Sequence, residues 1–141
     1  MISQTADYAL RAIVHLARSG PDAQTALDIA EATRVSPGYL SKVMQSLVRA
    51  GLVTSQRGLH GGFRLAKKPE QVTILEIVNT VDPVQRILTC PLGLESHTVL
   101  CALHQRLDDV IALIEARLGS TTVADLFAED AHMLCDARTM G

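Results

Sequence analysis

The 141-residue chain contains no tryptophan, and aromatic residues make up only 3% of it, as two Tyr and two Phe. Proteins that hold single-stranded nucleic acid by stacking bases on aromatic faces need more than this, so that class is excluded and the core must be aliphatic. No run of 18 apolar residues occurs, which excludes a membrane-spanning helix. The opening MISQTADYALRAIVHLA carries Asp7 and Arg11, unlike the apolar centre of a secretory signal, so a cytoplasmic protein with no membrane partner is expected. Three cysteines, an odd number in a reducing compartment, do not read as a disulfide framework; they read as ligands, sensors or core. There is no P-loop, no dinucleotide-binding glycine pattern and no nucleophile elbow, so His15, Asp7 and the cysteines do not add up to an enzyme.

What is present suits one compact domain, or a small domain with an appendage: 48% hydrophobic and 20% charged residues supply a core and a solvated surface. The net charge of −2 conceals a division. Residues 1–68 hold nine Lys/Arg against four acids, whereas residues 69–141 hold four against eleven. A basic first half is what a chain presents when one portion meets a polyanion, although segregation over a solvated surface gives the same count.

Apolar residues at Ala6, Ala9, Leu10, Ile13, Val14 and Ala17 follow helical spacing from Ile2 to Arg18, and Gly20-Pro21 ends the segment. Thr25 with Asp28 forms a capping box opening a short second helix. Ser36-Pro37 is an N-cap followed by the proline favoured at the first helical position, and Gly51 closes a third helix of about Pro37 to Ala50. The period then changes. Leu52-Val53-Thr54 and Phe63-Arg64-Leu65 read as a hairpin around a glycine-rich tip. Thr73 with Glu76 starts a fourth helix, which stops before Asp82-Pro83. A loop with Cys90-Pro91 follows, and Ser96 or Thr98 is expected to start a long helix striped by Leu100, Leu103, Leu107, Val110, Ile111, Ile114 and Leu118. Thr122 and Asp125 cap a short final helix, and the tail beyond Glu129 has no clear pattern.

The expected fold is mainly α with a small β-hairpin wing: a winged helix-turn-helix domain over 1–83, a cysteine-containing loop over 84–97, a dimerisation helix and short last helix over 98–129, and a tail over 130–141. On the third helix Leu40, Val43, Met44 and Leu47 share one side, and Gly38, Lys42, Gln45 and Arg49 the opposite one. Ser36, Gly38, Tyr39, Ser41, Lys42 and Gln45 are the candidates to meet base edges or phosphates of duplex DNA, with Arg49 deeper along the backbone. Tyr39 could equally cover the core, since its ring falls between the two sides. The wing offers Arg57, Gly58 and His60; a thin loop lays an arginine into the negative potential of a minor groove, while Gly61 and Gly62 also suit an ordinary tight turn.

The segments ISQTADYALRAIVHLA, SPGYLSKVMQSLVRAGLV and SQRGLHGGFRLAKKPEQVTILEIVNTVD, followed by a cysteine loop and a long helix, resemble the Rrf2 family of bacterial winged-helix transcriptional regulators, which includes IscR, NsrR and CymR types. The resemblance runs to about Glu129 and is most specific in the RGxxGGFRL wing. It implies a homodimer on palindromic DNA, with a recognition helix in each major groove, Arg57 in the minor groove and the long helix crossing its partner. The aliphatic stripe calls for a partner independently, the other cover being the chain's own first domain.

Many members of the family hold an iron–sulfur cluster on three cysteines before the long helix. This chain departs from that pattern: between Cys90 and Cys101 stands Glu95-Ser96-His97. A 2Fe-2S cluster would therefore need ligands other than cysteine, as imidazole provides in Rieske centres. His104 follows Cys101 at the Cys-x-x-His spacing of IscR types, and Asp7 matches a carboxylate that NsrR types contribute across the dimer. On a helix starting near Ser96, His97, Cys101 and His104 would share an edge distinct from the leucine stripe. The candidate ligands are thus Cys90, Cys101, His104, His97 and the partner's Asp7, for a 2Fe-2S cluster, a cofactor-free thiol switch or zinc. Buried structural thiols account for isolated cysteines but not for this grouping, and Cys135 in the tail reads as a free thiol. A metal- or cluster-carrier protein would use Cys90 and Cys101 but leave the basic helix and wing without purpose.

Overall fold

The computed structural model describes residues 2–96 and 98–129. Among these residues six α-helices and one antiparallel hairpin follow in the order α1 (Gln4–Arg18), α2 (Ala26–Thr33), α3 (Pro37–Arg49), β1 (Val53–Gln56), β2 (Gly62–Leu65), α4 (Ile74–Val81), α5 (Ala102–Gly119) and α6 (Val123–Glu129), with a 3₁₀ turn at Pro69–Gln71. The fold is that of a winged helix-turn-helix, mainly α with a two-stranded wing.

Helix α1 is the axis of the core. Ala6, Ala9, Ala12, Ile13 and Leu16 are fully buried, and the small side chains let α2, α3 and α4 approach closely. Ile29, Leu40, Val43, Met44, Leu47, Leu52, Val72, Ile77 and Val123 extend an aliphatic interior with no fully buried Phe or Tyr among the described residues. At roughly 1.5–3 kcal/mol for each large side chain withdrawn from water, this burial is the main stabilising term.

The helix ends follow local chemistry. Ser3 caps α1, and Thr25 with Asp28 forms a reciprocal box on α2. Thr73 caps α4 by accepting from the Glu76 N–H, but Glu76 does not return the bond; its carboxylate takes Lys67 Nζ at 2.7 Å. Arg34 closes α2 in the left-handed region at φ 55°, a conformation usually given to glycine, and so makes the turn into α3.

Strands β1 and β2 pair from Val53–Leu65 to Gln56–Gly62. The wing is also fastened to the α1–α2 connection, because Gln24 and Phe63 exchange N–H···O bonds of 2.8 and 2.7 Å. Gly62 makes this possible: at φ 137°, a Cβ there would lie 2.4 Å from the Gln24 carbonyl oxygen.

One expectation is corrected. Helix α5 begins at Ala102, not near Ser96 or Thr98; Cys101, with extended φ −66° and ψ 162°, is its N-cap. Neither Ser96 nor Thr98 has an acidic residue three positions on, so neither has the reciprocal partner that would fix a helix start there. Cys101 and His104 are therefore brought together as N-cap and third helical residue, and residues 98–101 do not belong to the helix. His97 and Cys135 lie outside the described residues.

Candidate functional site

The two-sidedness of α3 is as its sequence predicts. Leu40, Val43, Met44 and Leu47 are buried, while Gly38, Tyr39, Ser41, Lys42, Gln45 and Arg49 are exposed. Ser36 stands at the N-cap with Pro37 behind it, and its hydroxyl makes no capping bond. The first turn of α3 thus has no side-chain cap, and its positive dipole end lies at an exposed surface that also carries Lys42.

The wing stands beside this face. Ser41, Gln45 and Arg49 from α3 line one groove with Ser55, Arg57 and Phe63 from the hairpin region. Gly58 (φ 111°) and the Gly61 N–H bond to the Gly58 carbonyl, 2.9 Å, fold the tip tightly, leaving Arg57, Leu59 and His60 exposed. Gly61 is sterically required, since a Cβ there would meet the Gln56 carbonyl at 2.4 Å. Arg64 donates to Gln56 across the hairpin at 3.3 Å. Tyr39 is 53% exposed, and its ring meets Tyr8 of α1 edge-on at 5.9 Å, so one edge packs on α1 while the rest stays in solvent. Arg34, which the sequence reading did not single out, is exposed as the C-cap of α2, two residues before the Ser36 cap of α3. The only signal for it was a cation between two short helices.

At the other end of the chain, Cys90, Cys101 and His104 converge. The Cys101 Sγ lies 3.1 Å from His104 Nδ1, the Cys90 Sγ 4.0 Å from the same nitrogen, and all three donor atoms lie within 4.8 Å of one another. Cys90 is buried and the other two are partly so. The loop bearing Cys90 is anchored to α5 by Arg86, whose Nε and Nη2 donate to the two Asp108 oxygens at 2.8 and 2.6 Å, while the Ile87 N–H donates to Asp108 at 2.8 Å. The Arg86 guanidinium, with the Ile87 N–H, holds the Asp108 carboxyl down at about 2. This pair spans 22 residues and had no sequence signal.

Asp7 is not part of this group within the chain. It is partly exposed on α1 and paired with Arg11 at 2.6 Å, and Arg11 also donates to the Thr33 carbonyl at 3.2 Å.

A 2Fe-2S cluster takes four protein ligands, two on each iron, and the two pairs point away from each other. Three donors crowded around one point do not fit that requirement by themselves.

On α5, Leu103, Leu107, Val110 and Leu113 are exposed, while Ile111, Ile114 and Leu118 are half-buried on the side toward α4. Among the described residues no helix is long and apolar enough to cross a membrane.

A family model described as Rrf2, iron-dependent transcriptional regulator, matches residues 2–129. Among solved structures, CymR, the global cysteine regulator of B. subtilis, is 27% identical with a TM-score of 0.77, over 92% of this chain and 97% of its own. CymR of Staphylococcus aureus in its oxidized form is also 27% identical, with a TM-score of 0.70 over 87% of this chain and 92% of its own. T. potens IscR, at 24% identity, shares the fold with a TM-score of 0.78, covering 100% of this chain and 96% of its own. With the winged-helix architecture and the match across nearly the whole chain, the protein belongs to the Rrf2 family of DNA-binding transcriptional regulators.

Proposed function

We propose that the protein works as a homodimer on a palindromic duplex operator, and that the state of the Cys90–Cys101–His104 group sets its operator affinity. The first Ångströms of contact fall to Ser36, Gly38, Tyr39, Ser41, Lys42 and Gln45, entering the major groove from the N-terminal half of α3. Arg49 meets the backbone, and Arg57, Gly58 and His60 enter the adjacent minor groove. The observation that carries this reading is the exposed polar side of α3 facing one groove with the Arg57 wing.

The division of labour follows the chain: residues 1–83 read DNA, 84–97 carry the sensing loop, 98–129 pair the subunits and 130–141 form a tail. The dimer reading is supported by the exposed apolar row Leu103, Leu107, Val110 and Leu113, which one chain leaves in water. In a two-fold pair the recognition helices address half-sites about one helical turn apart. Metal binding or oxidation at the two thiols would change the loop held on α5, and with it the relation between subunits. Asp7 of the partner subunit stands in this reading as an accessory carboxylate.

Enrichment of duplexes from a random pool, followed by binding measurements on protein with reduced, oxidised and metal-loaded thiols, tests the proposal. A two-fold symmetric site whose affinity changes with thiol state is expected. Equal affinity in every state would remove the sensing role while leaving the DNA reading in place.

A further inference from the structure

In this chain the family's three-cysteine pattern is broken, and the donors that remain are gathered differently from what a two-iron cluster needs. We infer that Cys90, Cys101 and His104 form three sides of a site for a single tetrahedral divalent ion of zinc type. Identifying the ligand as one ion deepens the sensing proposal above, and rests on it only for the effect on DNA.

The argument is geometric. Bonds of about 2.3 Å to sulfur and about 2.0–2.1 Å to imidazole nitrogen, at tetrahedral angles, put sulfur and nitrogen roughly 3.6 Å apart and two sulfurs roughly 3.8 Å apart. The observed sulfur–nitrogen separations of 3.1 and 4.0 Å lie on either side of the first value, and the 4.8 Å limit on all three pairs leaves the sulfurs within about 1 Å of the second. Small side-chain rotations therefore bring every donor to bonding distance of one point. Two irons would instead require one of the three to turn away from the others.

The surroundings hold this arrangement. Cys101 is fixed as the N-cap of α5 without a capping bond from its sulfur, and His104 is in the first turn of the same helix. Cys90 arrives from a loop secured four residues earlier by the Arg86–Asp108 pair. Thiolates and imidazole together are a ligand set for zinc, and two sulfurs disfavour magnesium or calcium. Three protein donors leave the fourth tetrahedral position to a group outside the triad.

The test is titration of oxygen-free, reduced, full-length protein with Co²⁺ and with Zn²⁺, alongside reconstitution with iron and sulfide. Expected are one Co²⁺ per chain with the visible bands of a tetrahedral site and a thiolate-to-cobalt charge-transfer band, displacement by one Zn²⁺, and no bound sulfide after reconstitution. Cys90→Ser, Cys101→Ser and His104→Ala should each abolish these bands at equimolar metal while far-ultraviolet circular dichroism stays at the parent level. Two irons and two sulfides per chain, lost in the same variants, would overturn the single-ion assignment and leave control of DNA binding by this group intact. Tetrahedral cobalt bands that persist in the variants would place the ion elsewhere and refute the assignment. An absence of any metal or cluster signal would refute it too, and if the cysteine variants also bound the selected duplex like the parent, the sensing proposal would fall with it.

Discussion

Asp108 follows His104 by one turn of α5, so the carboxylate that grips Arg86 and the imidazole that faces both cysteine sulfurs stand on the same side of one helix. The ion pair and the donor group are two fastenings of a single loop. Removing the first should loosen the second even though neither Arg86 nor Asp108 is a donor in it.

This pair gives the stability a defined pH dependence. The folded-state pKa of Asp108, about 2, lies below the value of about 3.9 for an unfolded chain, so the unfolded state binds the proton first as pH falls. The pair's contribution is fully present above about pH 4 and is lost as pH falls toward 2. Asp108→Asn should therefore be less stable than the parent near neutrality, and the gap in urea midpoint should close across this window. Because the proposed dimer makes stability concentration-dependent, both proteins are compared at one concentration. A gap that stays constant down to pH 2 would show that the ion pair is not its source.

The wing depends on a glycine for a reason outside the hairpin. Gly62→Ala places a Cβ 2.4 Å from the Gln24 carbonyl at φ 137°, so the two bonds between Gln24 and Phe63 must break or the backbone must strain. A destabilisation of about 1–3 kcal/mol is expected, together with weaker DNA binding. Gly58→Ala, with open space around its Cβ, should show torsional strain alone and the smaller loss of stability. Thermal unfolding of the two variants checks the order; equal losses would contradict it.

The two sides of α3 should separate stability from binding. Leu47→Ala removes a fully buried side chain and should cost about 2–5 kcal/mol in urea unfolding. Gln45→Ala, on the exposed side, should leave stability within about 0.5 kcal/mol while lowering affinity for the selected duplex. A stable Gln45→Ala that binds like the parent would remove that residue from the interface.

The apolar row of α5 is tested by charge. Leu107→Glu together with Val110→Glu puts two carboxylates into the proposed seam, at positions about half exposed in one chain. Sedimentation should then give a folded monomer, with duplex affinity falling because two linked half-site contacts become independent. A double variant that still sediments as a dimer would place the interface elsewhere.

Much of this molecule was legible in its sequence, where local chemistry decides. Helix α3 could be read because one short segment carries both a proline start and a clean apolar side at Leu40, Val43, Met44 and Leu47. The caps at Thr25 and Thr122 were legible for the same reason: each partner lies three residues away. The loop before α5 was not, because its order comes from Arg86 and Asp108, which are neighbours only after folding. The misplaced start of α5 has a related cause. Ser96 and Thr98 are good capping residues in isolation, but the N-cap is Cys101, whose sulfur faces the imidazole of His104 in the first turn. Nor does any local signal indicate that Arg34 adopts a left-handed conformation, or that Gln24 pairs with Phe63. The cysteine and histidine donors were picked out by residue type and resemblance; their convergence on one point is visible only in three dimensions.

The central claim, that the Lys42 side of α3 and the Arg57 wing together grip duplex DNA, is tested most directly by the salt dependence of binding to the selected duplex. Parent, Lys42→Ala and Arg57→Ala are to be compared by fluorescence anisotropy across a range of salt concentrations. The account predicts a steep linear fall of log affinity with log salt for the parent, a slope shallower by about one for a variant that loses a phosphate contact, and a loss of about 1–3 kcal/mol for Arg57→Ala at fixed salt. Affinity and slope unchanged in both variants would contradict it.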